Sequence, residues 1–250
     1  MGGIGIIAGT GFYDLPALAG ATPEAVETKY GRALVTSGLW HRHEFSFLTR
    51  HGVDHSVPPS AVNYRANITA LKDLNVDRVI AINVVGGIDP TLAPGDLTLI
   101  DDFIDFTSGR QATFFDGMQH DDGQYRGVQH VDVTDAYDLE IRHALLVSAE
   151  KAKVPLREKG IYAGFNGPRF ETPTEIRLAA LAGATVAGMT GCPEVSLARE
   201  AGLRYASIAL VVNPAAGVSD QPITMADIKE SLARASSKVI TIIDGAIELI

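Results

Sequence analysis

Two runs of branched apolar residues constrain this chain more than anything else in it. Val79–Val85 reads VIAINVV and Tyr205–Val212 reads YASIALVV. Neither alternates polar with apolar, so neither suits a sheet with one wet face. Strands of this kind are covered on both sides, which calls for a central sheet with helices packed on its two faces. The rest of the chain fits around them. Ile4–Ala8 closes on Gly9-Thr10-Gly11, and Phe45–Thr49 closes on Arg50-His51-Gly52. Both read as buried strands, with Asp96–Ile100 and Gly160–Phe165 as shorter ones. Gly86-Gly87 is expected to stop the strand before it.

Helical patterns fall between the strands. After Pro58-Pro59, Ser60 is a candidate N-cap for a helix running to about Leu74. Leu139–Ala152 and Thr174–Leu181 read as helices. Pro193–Ala201 does too, with proline in its first turn and Gly202 just past its end. The last helix opens at Thr224-Met225-Ala226-Asp227, which resembles a capping box with Asp in the Glu position, and runs to about Leu249. Residues 107–131 break the rhythm: three aromatics (Phe114, Phe115, Tyr125) and two histidines occur with no period. A loop of that length in a compact domain serves function or meets a partner. With no internal repeat or low-complexity linker, residues 1–250 are expected to form one α/β domain, a central twisted mixed β-sheet flanked by helices.

Composition narrows the function. The 21 Lys and Arg against 30 Asp and Glu leave a net charge of −9, which repels a nucleic-acid backbone. No run of 18 apolar residues exists, and the opening MGGIGIIAGTG has no basic segment, so neither a membrane span nor a signal peptide is expected. The single cysteine, Cys192, excludes an internal disulfide framework and suits a reducing compartment. His41, His43, His51 and His55 lie close together but lack companion cysteines or an HExxH spacing, so no metal is expected. These features point to a cytoplasmic protein with a small-molecule substrate.

In sheets of this type ligands bind beyond the carboxyl ends of strands, and polar residues gather there. Gly9-Thr10-Gly11 offers backbone N–H groups and a hydroxyl to an anion, or simply makes a tight turn; it lacks the lysine of a P-loop and the third glycine of a dinucleotide fingerprint. Arg50-His51 either forks onto phosphate oxygens or is a solvated pair. Asn83, inside an apolar strand, either meets a ligand or ties two backbones together. Asn213-Pro214 either reads a heterocycle edge or starts a turn. In Gly167-Pro168-Arg169-Phe170-Glu171-Thr172, Phe170 can stack on a flat ring and Glu171 can accept from a ring N–H, or the pair is a core aromatic beside a solvated carboxylate.

Taken in order, Gly9-Thr10-Gly11, Arg50-His51-Gly52, Val62-Asn63-Tyr64-Arg65-Ala66-Asn67, Gly167-Pro168-Arg169-Phe170 and Met189-Thr190 resemble the trimeric purine nucleoside phosphorylase and methylthioadenosine phosphorylase family over nearly the whole chain. The resemblance implies reversible phosphorolysis, in which inorganic phosphate attacks C1′ of a purine nucleoside, with no metal or organic cofactor. It implies that Thr10, Arg50, His51, Thr190 and the backbone at Val84 hold phosphate. Met189 would pack under the ribose and Phe170 against the base. His130, in the irregular stretch, would reach the 5′ end of a nucleoside bound to a neighbouring subunit of a homotrimer. An adenine-specific member would carry Asp in place of Asn213 and of Ala215, and Ser in place of Glu171. Asn213 and Glu171 instead resemble the pair of 6-oxopurine enzymes. Asn213 can donate to O6 and bond N7, while Glu171 accepts from N1–H; adenine reverses both edges. At the 5′ end, Met225 and Ile228 stand where a general purine nucleoside phosphorylase has a histidine for the 5′-hydroxyl. A thioether and a branched alkane suit a methylthio group, unless they are ordinary helix packing. The combination, with Asn213-Pro214-Ala215-Ala216-Gly217, makes S-methyl-5′-thioinosine the expected substrate. Inosine and guanosine, or methylthioadenosine, are the alternatives, and a non-catalytic nucleoside- or phosphate-binding protein on the same fold is the rival outside the enzymes.

Overall fold

The computed structural model describes residues 2–12, 15–52, 56–117 and 127–250. His55 and positions 118–126 of the irregular stretch lie outside the described residues. Among the described residues ten strands make one mixed sheet, and its hub is β5 (Val76–Gly87). On one side β5 pairs in parallel with β1 (Gly3–Ala8), which pairs in parallel with β4 (His43–Thr49). On the other it pairs in parallel with β10 (Arg204–Pro214). These are the four strands that the apolar runs announce. Alternate residues of β5 and β10 enter different cores: Ile80, Ile82, Ile208 and Leu210 face one, Val79, Ala81, Ala209 and Val211 the other. Both faces are dry, which is why neither sequence alternates.

The sheet forks at the end of β5. Gly86 and Gly87 do not stop the strand as expected. They pair antiparallel with Ala187 and Val186 of β9 (Val186–Gly188) while β10 pairs with them on the other side. A Cβ on Gly86 would fall 3.3 Å from Ala215 Cα, so glycine here eases a close approach and does not end the strand. Beyond β9 lie β8 (Ile161–Gly164) and β7 (Asp102–Asp105), all parallel, and β6 (Leu97–Leu99) lies antiparallel on β10. At the opposite edge β3 (Gly31–Trp40) and β2 (Glu24–Thr28) continue antiparallel from β4.

Helices cover the faces as their apolar residues require. On one side α2 (Leu139–Ala152) and α5 (Met225–Ile247) set Ile141, Leu145, Leu232, Val239 and Ile242 against the sheet. On the other, α1 (Tyr64–Asp73) and α4 (Gly191–Glu200) contribute Ile68, Leu71, Val195 and Leu197. Truncating a buried Ile or Leu in either layer to Ala costs about 2–5 kcal/mol. The smaller α3 (Pro173–Leu181) covers the β8–β9 side through Ile176 and Ala179. No helix among the described residues is long and apolar enough to cross a membrane.

Two helix starts differ from expectation. Ser60 lies in a single 3-10 turn, Pro59–Ala61, and the N-cap of α1 is Asn63, whose side chain accepts from Ala66 N at 3.1 Å. The Asn63 amide also donates to Tyr30 O at 2.6 Å, a tie that serine could not make. Pro193 is not in a helical turn: Cys192 is extended (φ −112°, ψ 136°), so the regular part of α4 begins after the proline. Its end is as expected, with Gly202 at φ +71° after the Ala201 cap.

Candidate active site

The carboxyl ends of β1, β4, β5 and β10 surround one cavity of about 400 Å³, a volume that suits a nucleoside. The β4 end supplies Arg50 and His51. Arg50 is buried, and its fork is held from behind: Nε donates to Glu194 Oε2 at 2.6 Å and Nη2 to Glu194 Oε1 at 2.7 Å. Nη1 donates to Ile82 O at 2.7 Å. Of five N–H groups this leaves one on each terminal nitrogen for an anion. Glu194, from the first turn of α4, also accepts from the Tyr205 hydroxyl at 2.7 Å. Burial alone would lower the Arg50 pKa, but the Glu194 charge and hydrogen bonds outweigh it and hold the guanidinium further into its charged range. Burial, with the Glu194 charge behind it, pushes the Tyr205 hydroxyl well up, so it stays a donor. The His51 ring is oriented by Nδ1 on Val57 O at 2.8 Å. The Gly9 backbone lies against both side chains: a Cβ there would fall 3.5 Å from His51 Nε2 and 3.7 Å from Arg50 Nη1. Thr10 follows on the cavity wall.

β9 runs back along β5 and delivers Met189-Thr190 beside Val84. The Thr190 hydroxyl donates to Asn83 Oδ1 at 3.3 Å, and Asn83 Nδ2 donates to Ser207 Oγ at 2.8 Å. That decides between the two readings of Asn83: it does not line the cavity but ties β5 to β10 and orients Thr190. From below, the Tyr162 hydroxyl accepts both Thr190 N–H and Gly191 N–H at 3.0 Å. A Cβ on Gly188 would stand 2.4 Å from that hydroxyl, so the chain turns here over a tyrosine that only glycine can accommodate.

The rest of the wall comes from the end of β10, a loop and the start of α5. Asn213, at the end of β10, is oriented by Nδ2 on Pro214 O at 2.7 Å. Its Nδ2 lies 3.4 Å from where a Gly86 Cβ would be. Phe170 and Glu171 come from the loop between β8 and α3. That loop is anchored by a capping box in which Thr172 accepts from Glu175 N and Glu175 accepts from Thr172 N at 2.7 Å. Arg169 grips the same carboxylate at 2.8 and 2.9 Å, and with the Thr172 N–H it holds Glu175 down at a pKa of about 2. Arg169 is therefore spent on loop geometry. Burial pushes the Glu171 carboxyl up, reinforced by the Glu175 charge. Met225, in the first turn of α5, and Ile228, one turn on, close the wall.

Thr10, Arg50, His51, Val84, Phe170, Glu171, Met189, Thr190, Asn213, Met225 and Ile228 thus share one cavity. His130 is exposed and does not line the cavity of its own chain. Sequence reasoning missed Glu194 and Tyr162. The one signal for Glu194 was its type: a carboxylate within an apolar, buried helix start needs a cation, and Arg50 is the one it finds.

The profile of the Phosphorylase superfamily matches residues 3–248. A 6-oxopurine nucleoside phosphorylase of Pyrococcus furiosus is 43% identical over 247 residues, covering 99% of this chain and 92% of that one. A probable S-methyl-5′-thioinosine phosphorylase of Methanopyrus kandleri is 41% identical over 251 residues, covering 99% and 92%. A methylthioadenosine phosphorylase of Schistosoma mansoni, solved in complex with adenine, superposes with a TM-score of 0.92 at 32% identity, covering all of this chain and 92% of that one. The chain belongs to the Phosphorylase superfamily.

Proposed function

We propose that this superfamily member cleaves 6-oxopurine nucleosides by phosphorolysis and prefers S-methyl-5′-thioinosine. The observation that carries the reading is the placement of two unlike sets of groups along one strand. Arg50 and Thr190 are anchored at Ile82 and Asn83, whereas Asn213 lies beside Gly86. Four residues of strand span about 13 Å, enough to separate an anion subsite from a base subsite with a ribose between.

The chemistry follows from the groups. Phosphate, held by the Arg50 fork, Thr10 and the Thr190 hydroxyl once it turns from Asn83 Oδ1 to donate to the anion, presents an oxygen to C1′. As the new C1′–O bond forms, the C1′–N9 bond breaks and its electron pair leaves on the purine. The developing positive charge on the ribose faces the anion, and the Asn213 amide stabilises the departing base through N7 and O6. Glu171, ionised, accepts from N1–H. The products are hypoxanthine and 5-methylthioribose 1-phosphate; phosphate is a co-substrate, and the reaction requires no cofactor. We place it in the cytoplasm, with residues 1–250 as one catalytic domain.

The 5′ preference rests on Met225 and Ile228. Ile228 is buried, but Met225 is 57% exposed in the single chain, so one copy builds only part of an apolar pocket. We infer a homotrimer in which the partner subunit's His130 completes it; light scattering near 80 kDa, about three times the chain mass, is the check. A general inosine and guanosine phosphorylase is the second reading, favoured by the open 5′ side and by the Pyrococcus relative's name.

The test is phosphate-dependent base release from methylthioinosine, inosine, methylthioadenosine and adenosine, compared by kcat/KM. Methylthioinosine first, with little adenine released, supports both halves of the reading. Inosine equal or better keeps the base assignment and removes the 5′ one. Methylthioadenosine first overturns the base assignment.

A further inference from the structure

Arg110 lies in the irregular stretch, outside the cavity, and sequence reasoning gave it no role. Its guanidinium is spent almost entirely on backbone carbonyls. Nη2 donates to Asn166 O and Met189 O, each at 2.9 Å, and to Phe165 O at 3.3 Å. Nη1 donates to Cys192 O and, at 3.1 Å, to the Tyr64 hydroxyl, whose ring it also faces. Those carbonyls belong to the two loops that leave the paired strands β8 and β9: the pairing ends with Phe165 N donating to Gly188 O at 2.9 Å, and Arg110 ties the chains together just beyond it. One leads through Gly167-Pro168 to Phe170 and Glu171. The other carries Met189 and Thr190 and runs into Glu194, which holds Arg50. Irregular backbone leaves carbonyls without partners, and a planar fork of donors can serve several at once.

We infer that Arg110 is a positioning residue for this site: its guanidinium fixes the base-reading loop against the ribose and phosphate loop. The segment that places it is itself pinned to α4, where Glu200 accepts from the Thr113 hydroxyl at 2.8 Å and from Phe114 N at 2.7 Å. The irregular stretch therefore sets the distance between the two halves of a nucleoside site. The inference rests on the phosphorolysis reading above, because that reading says which ligand groups the two loops address.

Lysine replaces only part of the fork: one ammonium can bridge Asn166 O and Met189 O, as Nη2 does, but it cannot at the same time hold Cys192 O and the Tyr64 hydroxyl, as Nη1 does. Arg110→Lys and Arg110→Ala are measured for kcat and for both KM values, with melting temperature and far-UV circular dichroism to establish the folded fraction. In each folded variant kcat/KM for the nucleoside is expected to fall on the order of 100-fold, the cost of a misplaced reacting geometry. Added methylguanidinium enters through the surface cavity that Arg110 lines beside Gly109 and Gln111. It is expected to restore part of kcat to Arg110→Ala and to leave the wild type unchanged. Arg110→Lys within about threefold of wild type, or a loss that tracks the unfolded fraction and is not rescued, overturns the inference. Should Arg110→Ala not fold, the lysine variant decides alone. A wild type that releases no base on addition of phosphate overturns the function reading instead, so the two failures are separate results.

Discussion

The two halves of the cavity are built by different means. Around Arg50 the bracing is in place before a ligand arrives: Arg50 is 3% exposed, Glu194 is fully buried, and protein groups take three of the five Arg50 N–H groups. Around the base, Phe170 is 44% exposed and Met225 57%, and the supporting contacts are a helix cap and a surface ion pair. The anion half is preorganised by strand ends and buried charge. Apart from Asn213, 7% exposed at the end of β10, the base half is a loop and the start of a helix, to be completed by substrate and by the proposed partner subunit. On the proposed function, the groups that define the reaction class sit where the fold is stiffest, and most of those that choose the substrate sit where substitution disturbs the fold least.

The sharpest way to break that contrast is to remove one buried partner. Glu194→Ala leaves the Arg50 guanidinium buried without a counter-charge, and stability is expected to fall by about 3–5 kcal/mol in denaturant melts. Glu171→Ala, at the open half, is expected to change stability by no more than about 0.5 kcal/mol. Equal shifts in the two variants would show that the halves are not differently braced. Next in size is Asn213→Asp, which exchanges an amide donor for an acceptor at the base edge. The ratio of inosine to adenosine kcat/KM is expected to fall by about 10- to 100-fold, the consequence of a mismatched polar contact. An unchanged ratio would sink the base-recognition account.

Much of the stiff half was legible in the sequence, and little of its bracing was. The runs at Val79–Val85 and Tyr205–Val212 give the hub of the sheet because burial on both faces removes every polar residue except those with a partner inside. Arg50 at its strand end could be read as an anion ligand or a solvated arginine, and its burial removes the second. Its fork on Glu194 could not be read, since 144 residues separate them and only the folded sheet brings α4 behind β4. The strands β2, β3, β7 and β9 also escaped the reading. β2 is an exposed edge whose sequence, EAVET, looks like loop, and β9 has only three residues, too few for any period. Gly86-Gly87 misled for a physical reason: glycine marks close approach of backbone as well as a turn, and here a Cβ on Gly86 would press on Ala215.

The titration of Glu171 separates the halves by pH. Burial raises its pKa, so the carboxyl takes up its proton at a higher pH than an ordinary glutamate does, roughly 4.3. Once protonated it is a neutral and weaker acceptor for the N1–H of the proposed substrate. The acid limb of kcat/KM for a 6-oxopurine nucleoside is therefore expected to begin above the ordinary glutamate range and to fall about tenfold per pH unit below its midpoint. In Glu171→Gln that limb should vanish at a lower plateau, while the phosphate KM keeps its pH dependence. A limb that survives the substitution would have to come from another group.

The smallest effect comes from the cap of α5. Thr224 accepts from Asp227 N at 3.2 Å and donates to Asp227 Oδ2 at 2.6 Å. That pair fixes the first turn, which carries Met225, with Ile228 a turn further on. Thr224→Ala is expected to cost about 1 kcal/mol of stability, measured as a fall in melting temperature. Fraying the cap loosens the one turn that bears the apolar 5′ wall and leaves the Arg50 fork untouched. The preference for methylthioinosine over inosine should then drop several-fold, about what one poorly packed methyl group is worth, while the phosphate KM stays where it was. A phosphate KM that rises together with the loss of preference would mean that the start of α5 braces the anion half as well. The division between a stiff half and an adaptable one would then have to be drawn through α5 itself.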